Sequence, residues 1–244
     1  MREGPRLQTI KSYYEKRYVP WDMGPSRRSP PTYRAFLDWL GVKPKDKLLD
    51  VACGAGALLQ CAGSEVDGWG IDLSEHAVRF ARQVVPHARL SVGDMQRMPY
   101  ADGYFDYVTN IGGLEHVPDM QQALCEMARV CSDGGKLCIV VPNAHFFWYK
   151  ALRIKGTRQA AMEEHLLKLA EWQELVHSVG LRVIRVETDP GPDIRTDFGL
   201  KVFMRGVLRR MALAITALMP TSLTYQFVFI CGKYTGRKPD RKRK

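Results

Sequence analysis

The residues Leu48-Leu49-Asp50-Val51-Ala52-Cys53-Gly54-Ala55-Gly56 have the types and spacing of a ligand-binding turn. Two apolar residues lead into an acid and then into small residues, where Gly54 and Gly56 leave the backbone bare. Such a turn ends a buried strand and lies against a nucleoside-like ligand at the start of a helix. Sixteen residues past Gly56, a second apolar run ends at Gly70-Ile71-Asp72-Leu73, where the carboxylate can accept both hydroxyls of a ribose. A third run ends at Val92-Gly93-Asp94-Met95. There an acid can take an adenine amino group, and the apolar side chain after it can cover a face of the base.

A dinucleotide site needs a third glycine three residues after the second, so that the helix packs closely beneath a pyrophosphate. Leu59 occupies that place. Asp50, at the mouth of the turn, repels a phosphate and attracts a cation. A ligand with a ribose, an amino group and a sulfonium suits these residues, which points to S-adenosylmethionine.

The elements that must position these residues alternate from about residue 46 to 142. Strands are expected over 47–52, 67–71, 88–92, 104–110 and 135–141, and helices over 56–62, 74–85 and 119–131, with Ser74 and Asp119 as N-caps. Strands separated by helical patterns imply crossovers and a largely parallel sheet. A short helix is expected near Thr32–Leu40, a further helix at about 168–179, and late strands at 182–187 and 225–231. Asp133-Gly134-Gly135-Lys136 reads as a glycine turn feeding the fifth strand.

Taken in order, Asp50-x-x-x-Gly54-x-Gly56, Asp72, Gly93-Asp94, Phe105-Asp106, Gly134-Gly135 and Pro142-Asn143 resemble the class I S-adenosylmethionine-dependent methyltransferases, in the branch that modifies small molecules. The resemblance covers about Trp21 to Glu187, with Ala52 standing where many members have glycine. It implies a doubly wound, Rossmann-like α/β fold whose mostly parallel seven-stranded sheet has its last strand antiparallel. It further implies that Asp50, Gly54 and Gly56 line the methionine portion, that Asp72 with Leu73 holds the ribose, and that Asp94 and Met95 hold adenine. Asn110 would meet the methionine end through its backbone. Tyr13, Tyr14 and Trp21 resemble an aromatic lid, apt near a sulfonium because a ring face attracts a cation; equally, they suit a helix face packed on the sheet.

Glu115 and His116, just past the fourth strand, resemble the Glu-His pair of quinone-ring O-methyltransferases and are the candidate catalytic bases. Structural roles suit them equally well, a helix-capping Glu and a packed His. Relatives that hold a divalent metal carry acids upstream, where this chain has Asn110, Ile111 and Gly112, so no metal is expected. The acceptor is expected to be a hydroxyl on a lipid, a lipid-linked sugar or another apolar metabolite. Carbon or nitrogen methylation, or a non-catalytic cofactor-binding role beside a partner, are the alternatives. Nucleic acid is a poor fit, because no D/N-P-P-Y/F run and no Pro-Cys motif occurs.

The chain has 244 residues and is 45% hydrophobic and 25% charged, which suits one globular domain with appendages. Its net charge is +10, of which +6 falls between Lys233 and Lys244. The expected organisation is an aromatic N-terminal lid over 1–45, a cofactor-binding domain over 46–232 with an amphipathic helical insertion at 198–219, and a basic disordered tail over 233–244. On a helix, Lys201, Arg205 and Arg209 of the insertion share one face of an otherwise mostly apolar cylinder. That cylinder could lie on an anionic membrane, with the tail adding attraction, or cover a sheet edge or dimer interface. The six cysteines include no C-x-x-C pair, and residues 1–12 lack an apolar core, so a cytoplasmic protein is expected, with contact to the inner membrane face left open. The sequence leaves the oligomeric state open.

Overall fold

A computed structural model describes residues 5–17, 28–146, 165–189 and 224–234. Seven strands form one sheet: β1 (Lys47–Val51), β2 (Asp67–Asp72), β3 (Arg89–Val92), β4 (Phe105–Ile111), β5 (Cys131–Pro142), β6 (Leu181–Thr188) and β7 (Gln226–Lys233). Their order across the sheet is β3-β2-β1-β4-β5-β7-β6. Strands β1 to β5 are paired parallel, and β7 runs antiparallel to both its neighbours, β5 and β6. This is the doubly wound α/β sheet that the family resemblance implies, with the antiparallel strand last. The described helices are α1 (Pro5–Arg17), α2 (Pro30–Leu40), α3 (Ala57–Ala62), α4 (Glu75–Val84), α5 (Met120–Val130) and α6 (Leu169–Ser178).

Strand periodicity divides the core into two layers. Leu49, Val51, Leu137, Ile139, Val141, Phe227 and Phe229 meet Leu124 and Met127 of α5 and Trp172 and Val176 of α6. The alternate residues face the other way: Leu48 meets α2, α3 and α4 through Leu37, Leu58 and Ala81, and Cys138, Val140, Val228 and Ile230 meet Phe36 and Leu40 of α2. The expected caps hold, since Ser74 accepts from the Ala77 amide at 3.2 Å and Asp119 from the Gln122 amide at 2.9 Å.

Two elements differ from expectation. The expected glycine turn at Asp133–Lys136 is an irregularity inside β5: Cys131 pairs with Phe105, yet Lys136 pairs with Tyr107. A side chain at Gly135 would put its Cβ 2.6 Å from the Asp106 carbonyl oxygen, so the bulge requires glycine there. The N-terminal lead, read as polar pieces before a short helix, contains the 13-residue helix α1. Its apolar face is thin, with Leu7 and Ile10 buried, and polar contacts to α4 hold it. Trp21, the insertion at 198–219 and the tail from 235 onward lie outside the described residues.

Candidate cofactor and acceptor site

The strand order reverses between β1 and β4, and ligands of open α/β sheets bind at such a switch, beyond the carboxyl ends of the strands. After Val51 the backbone turns through positive φ at Ala52 (58°), Gly54 (51°) and Gly56 (80°). Gly56 is also a packing requirement, because a Cβ there would lie 2.9 Å from Val85 and 3.3 Å from Ala81 of α4. The turn is tied to β2 twice, by the Cys53 amide donating to the Ile71 carbonyl at 3.1 Å and the Gly54 amide donating to Asp72 Oδ2 at 2.8 Å.

Beneath the turn, Asp50 is only 4% exposed and accepts from the Thr109 hydroxyl at 2.7 Å. Burial pushes its carboxyl up to about 7, against the pull of that hydroxyl, and nearby Asp72 adds to the rise. Asp72 is raised as well, chiefly by burial, while the Ser74 and Gly54 amides favour its charged form. Two buried acids therefore stand side by side at the strand ends, which is an environment that favours a cation. Leu73 follows, half-buried, before α4 begins.

Asp94 and Met95 follow β3, which pairs with β2 so that Asp72 sits opposite Val92. Asn110 is fully buried and bridges three elements: its Nδ2 donates to the Val51 carbonyl at 3.0 Å and lies 3.9 Å from Met95 Sδ, and its Oδ1 accepts from the Leu114 amide at 3.0 Å. Gly113 sits in the same knot, where a Cβ would come within 2.7 Å of the Ala52 Cβ. A short 3-10 turn over Leu114–His116 then carries Glu115 and His116, 2% and 3% exposed, with His116 Nε2 3.8 Å from Glu115 Oε1. The Tyr14 ring of α1 meets the His116 ring edge-on, with centroids 6.1 Å apart.

Residues 49–139 match the family model for a methyltransferase domain. A demethylmenaquinone methyltransferase of Shouchella clausii (strain KSM-K16) is 30% identical over 167 residues, which span 59% of this chain and 71% of that one. The chain belongs to the class I S-adenosylmethionine-dependent methyltransferases. S-adenosylmethionine is its cofactor. The enzyme of the same description from Bacillus mycoides (strain KBAB4) is 39% identical over 107 residues, and there the match spans 40% of this chain and less than half, 45%, of the relative. Among solved structures, the geranyl diphosphate C-methyltransferase of Streptomyces coelicolor A3(2) shares the fold at a TM-score of 0.68 and 14% identity, covering 96% of this chain and 100% of that one.

The donor set of this methyltransferase suits that cofactor. Buried acids at Asp50 and Asp72 would answer a cation and vicinal hydroxyls, and the bare turn at Gly54 would leave room for close approach. Among the described residues no group of three or more His, Cys, Asp and Glu is arranged to hold a metal.

The structure brings Asp50, Gly54, Gly56, Asp72, Leu73, Asp94, Met95, Asn110, Glu115, His116 and Tyr14 to one edge of the sheet; Trp21 lies outside the described residues. Sequence reasoning missed Arg28. Its guanidinium pairs with Asp189 at 3.1 Å, donates to Gln226 of β7 and is largely buried. Burial opposes its charge, but Asp189, Tyr33 and Glu115 outweigh that and raise its pKa. Also missed was Glu15, whose carboxylate accepts from the Glu75 and His76 amides at 2.7 and 3.2 Å and so caps α4, directly after the Asp72 turn. No local pattern flags either residue, since their partners lie 60 or more positions away.

Proposed function

We propose that this methyltransferase transfers its methyl group to an ionisable hydroxyl of an apolar small molecule, such as a lipid or a lipid-linked sugar. The observation that carries the reading is the Glu115–His116 pair, buried at the end of β4 beside the cofactor-binding turn and contacted by Tyr14. Bound S-adenosylmethionine supplies a carbon already activated by positive sulfur, so the protein has to align the acceptor, exclude water and remove one proton. Asp72 accepts the ribose hydroxyls, Asp94 and Met95 hold adenine, and Asp50 with the Gly54–Gly56 turn lines the methionine end. Glu115 or His116 takes the acceptor proton, and α1 with Tyr14 covers that side. Arg28, whose charge is felt by Glu115, keeps positive potential near the anion that deprotonation leaves.

Replacing Glu115 with Gln or His116 with Ala should lower kcat by roughly 10²–10⁴ while cofactor affinity stays nearly intact. The assay is label transfer from deuterated cofactor into lipid and soluble extracts, read by mass spectrometry. Full turnover in both variants removes the pair from the mechanism, and a product labelled on carbon or nitrogen replaces the hydroxyl assignment. No label transfer to any fraction leaves the non-catalytic role.

The acceptor's apolar character goes with a cytoplasmic enzyme that touches an anionic membrane face. Support comes from the sequence alone: the apolar–basic segment Phe198–Met219 and the lysines and arginines after Tyr234. No described helix is long and apolar enough to cross a membrane.

A further inference from the structure

Gln96, two residues beyond Asp94, makes three contacts to that one carboxylate. Its backbone amide donates to Asp94 Oδ1 at 2.9 Å, and its side-chain Nε2 lies 3.1 Å from Oδ1 and 3.0 Å from Oδ2. The other end of the same side chain is also engaged, because Gln96 Oε1 accepts from the Asp119 amide at 3.0 Å. A backbone N–H can only donate, so the carboxamide satisfies both neighbours in one orientation, with its NH2 group toward Asp94. The Gln96 carbonyl in turn accepts from Gln122 Nε2 at 3.1 Å, which fastens the loop to the first turn of α5.

A carboxylate offers about four acceptor positions. Gln96 takes both on Oδ1 and one on Oδ2, which leaves acceptor capacity on Oδ2. An exocyclic amino group can fill it. A carbonyl oxygen cannot, because two acceptors would face each other. A freely rotating carboxylate could turn both oxygens away from a carbonyl and so would discriminate less sharply between the two.

We propose that Gln96 is a positioning residue, fixing the Asp94 carboxylate so that the site selects a 6-amino purine over a 6-oxo purine. It rests on the reading of Asp94 as the residue that accepts the adenine amino group. Calorimetric titration of the full chain with S-adenosylhomocysteine and with S-inosylhomocysteine tests both. The wild-type protein should prefer the adenosyl ligand by roughly 10–100-fold. Gln96→Met should shrink that preference about tenfold, with the loss confined to the adenosyl ligand. Gln96→Glu, which sets a second carboxylate against the first, should shrink it at least as far and serves if the methionine variant folds poorly. Equal weakening of both ligands, or an undiminished preference in both variants, overturns the role of Gln96. Asp94→Ala separates the two readings: it should abolish the preference, and a preference that survives it refutes the adenine reading itself.

Discussion

Asp50 keeps its proton to a higher pH than an ordinary carboxyl, and a cation bound beside it would favour the charged form. Its carboxyl is raised from 3.8 to about 7 by burial, so the folded state binds more protons than the unfolded chain between those values. Its contribution to stability is therefore fully present below pH 3.8 and is lost as pH rises through about 7, a swing on the order of 4 kcal/mol. Asp50→Asn should flatten that part of the stability profile of the cofactor-free protein, measured by denaturant unfolding at several pH values. The same variant should abolish a rise in affinity for S-adenosylmethionine across pH 6–8 that the uncharged sulfur of S-adenosylhomocysteine does not share. A profile unchanged by the substitution refutes the raised carboxyl. Ala52 poses a different problem, for it holds φ at 58°, where a side chain costs about 1–2 kcal/mol. Its Cβ is also what a methyl at Gly113 would strike, 2.7 Å away. Gly113→Ala should destabilise by about 1–3 kcal/mol, and Ala52→Gly should restore most of the loss in the double mutant. Additive effects would mean that Asn110, 3.2 Å from the same Cβ position, is the real obstacle. The acids at the strand ends were legible because each follows an apolar run. Gln96 was not, since its meaning depends on Asp119, which only the fold brings within 3.0 Å.

At the scale of elements, the sheet and its main helices were readable because burial writes its period into the sequence, and ends shifted by two residues or fewer except at β5, which begins four residues early at Cys131. Helix α1 was not. Its sequence, PRLQTIKSYYEKR, has a weak apolar stripe, and its position comes from contacts distant in sequence. Lys11 pairs with Glu75 at 3.3 Å, and Glu15 caps α4 while His76 Nδ1 lies 3.0 Å from its carboxylate. Removing a capping side chain costs typically about 1 kcal/mol. Glu15→Ala should therefore speed hydrogen exchange across residues 7–15 by roughly 5–10-fold and leave the amides of β1 and β4 unchanged. Uniform acceleration throughout the chain would show that α1 belongs to the core's cooperative unit. The opposite case is Arg129 of α5, which spends its donors on Glu126, Asp102 and the carbonyls of Met98 and Tyr100, pinning the loop between β3 and β4. A charge near the end of a helix announces itself, but the carbonyls it seeks do not.

For the whole molecule, the net charge of +10 is uneven, with +6 falling between Lys233 and Lys244. Each cation near an anionic surface contributes about 1 kcal/mol, screened by salt. The protein should cosediment with anionic vesicles at low salt, less at high salt, and weakly once residues 233–244 are deleted. Retention in the supernatant at low salt would leave Phe198–Met219 as a packing or dimer helix and weaken the case for an apolar acceptor. Composition made that charge visible, whereas the threading of the sheet was visible only through family likeness, because no local pattern says that β7 enters between two older strands. That placement also sets the timing of synthesis. Strand β5 ends at Pro142, but its second neighbour is finished only at Lys233, ninety-one residues later. At about 5–20 residues per second, the nascent chain carries an open β5 edge for roughly 5–18 s, and β6 emerges with no partner in place. The ribosome-bound polypeptide thus exposes one unpaired strand edge throughout that interval and a second once β6 is made, the features that chaperones engage and that neighbouring nascent chains can pair with. The yield of this enzyme in a cell should therefore depend on how fast residues 143–233 are translated as well as on how stable its finished core is.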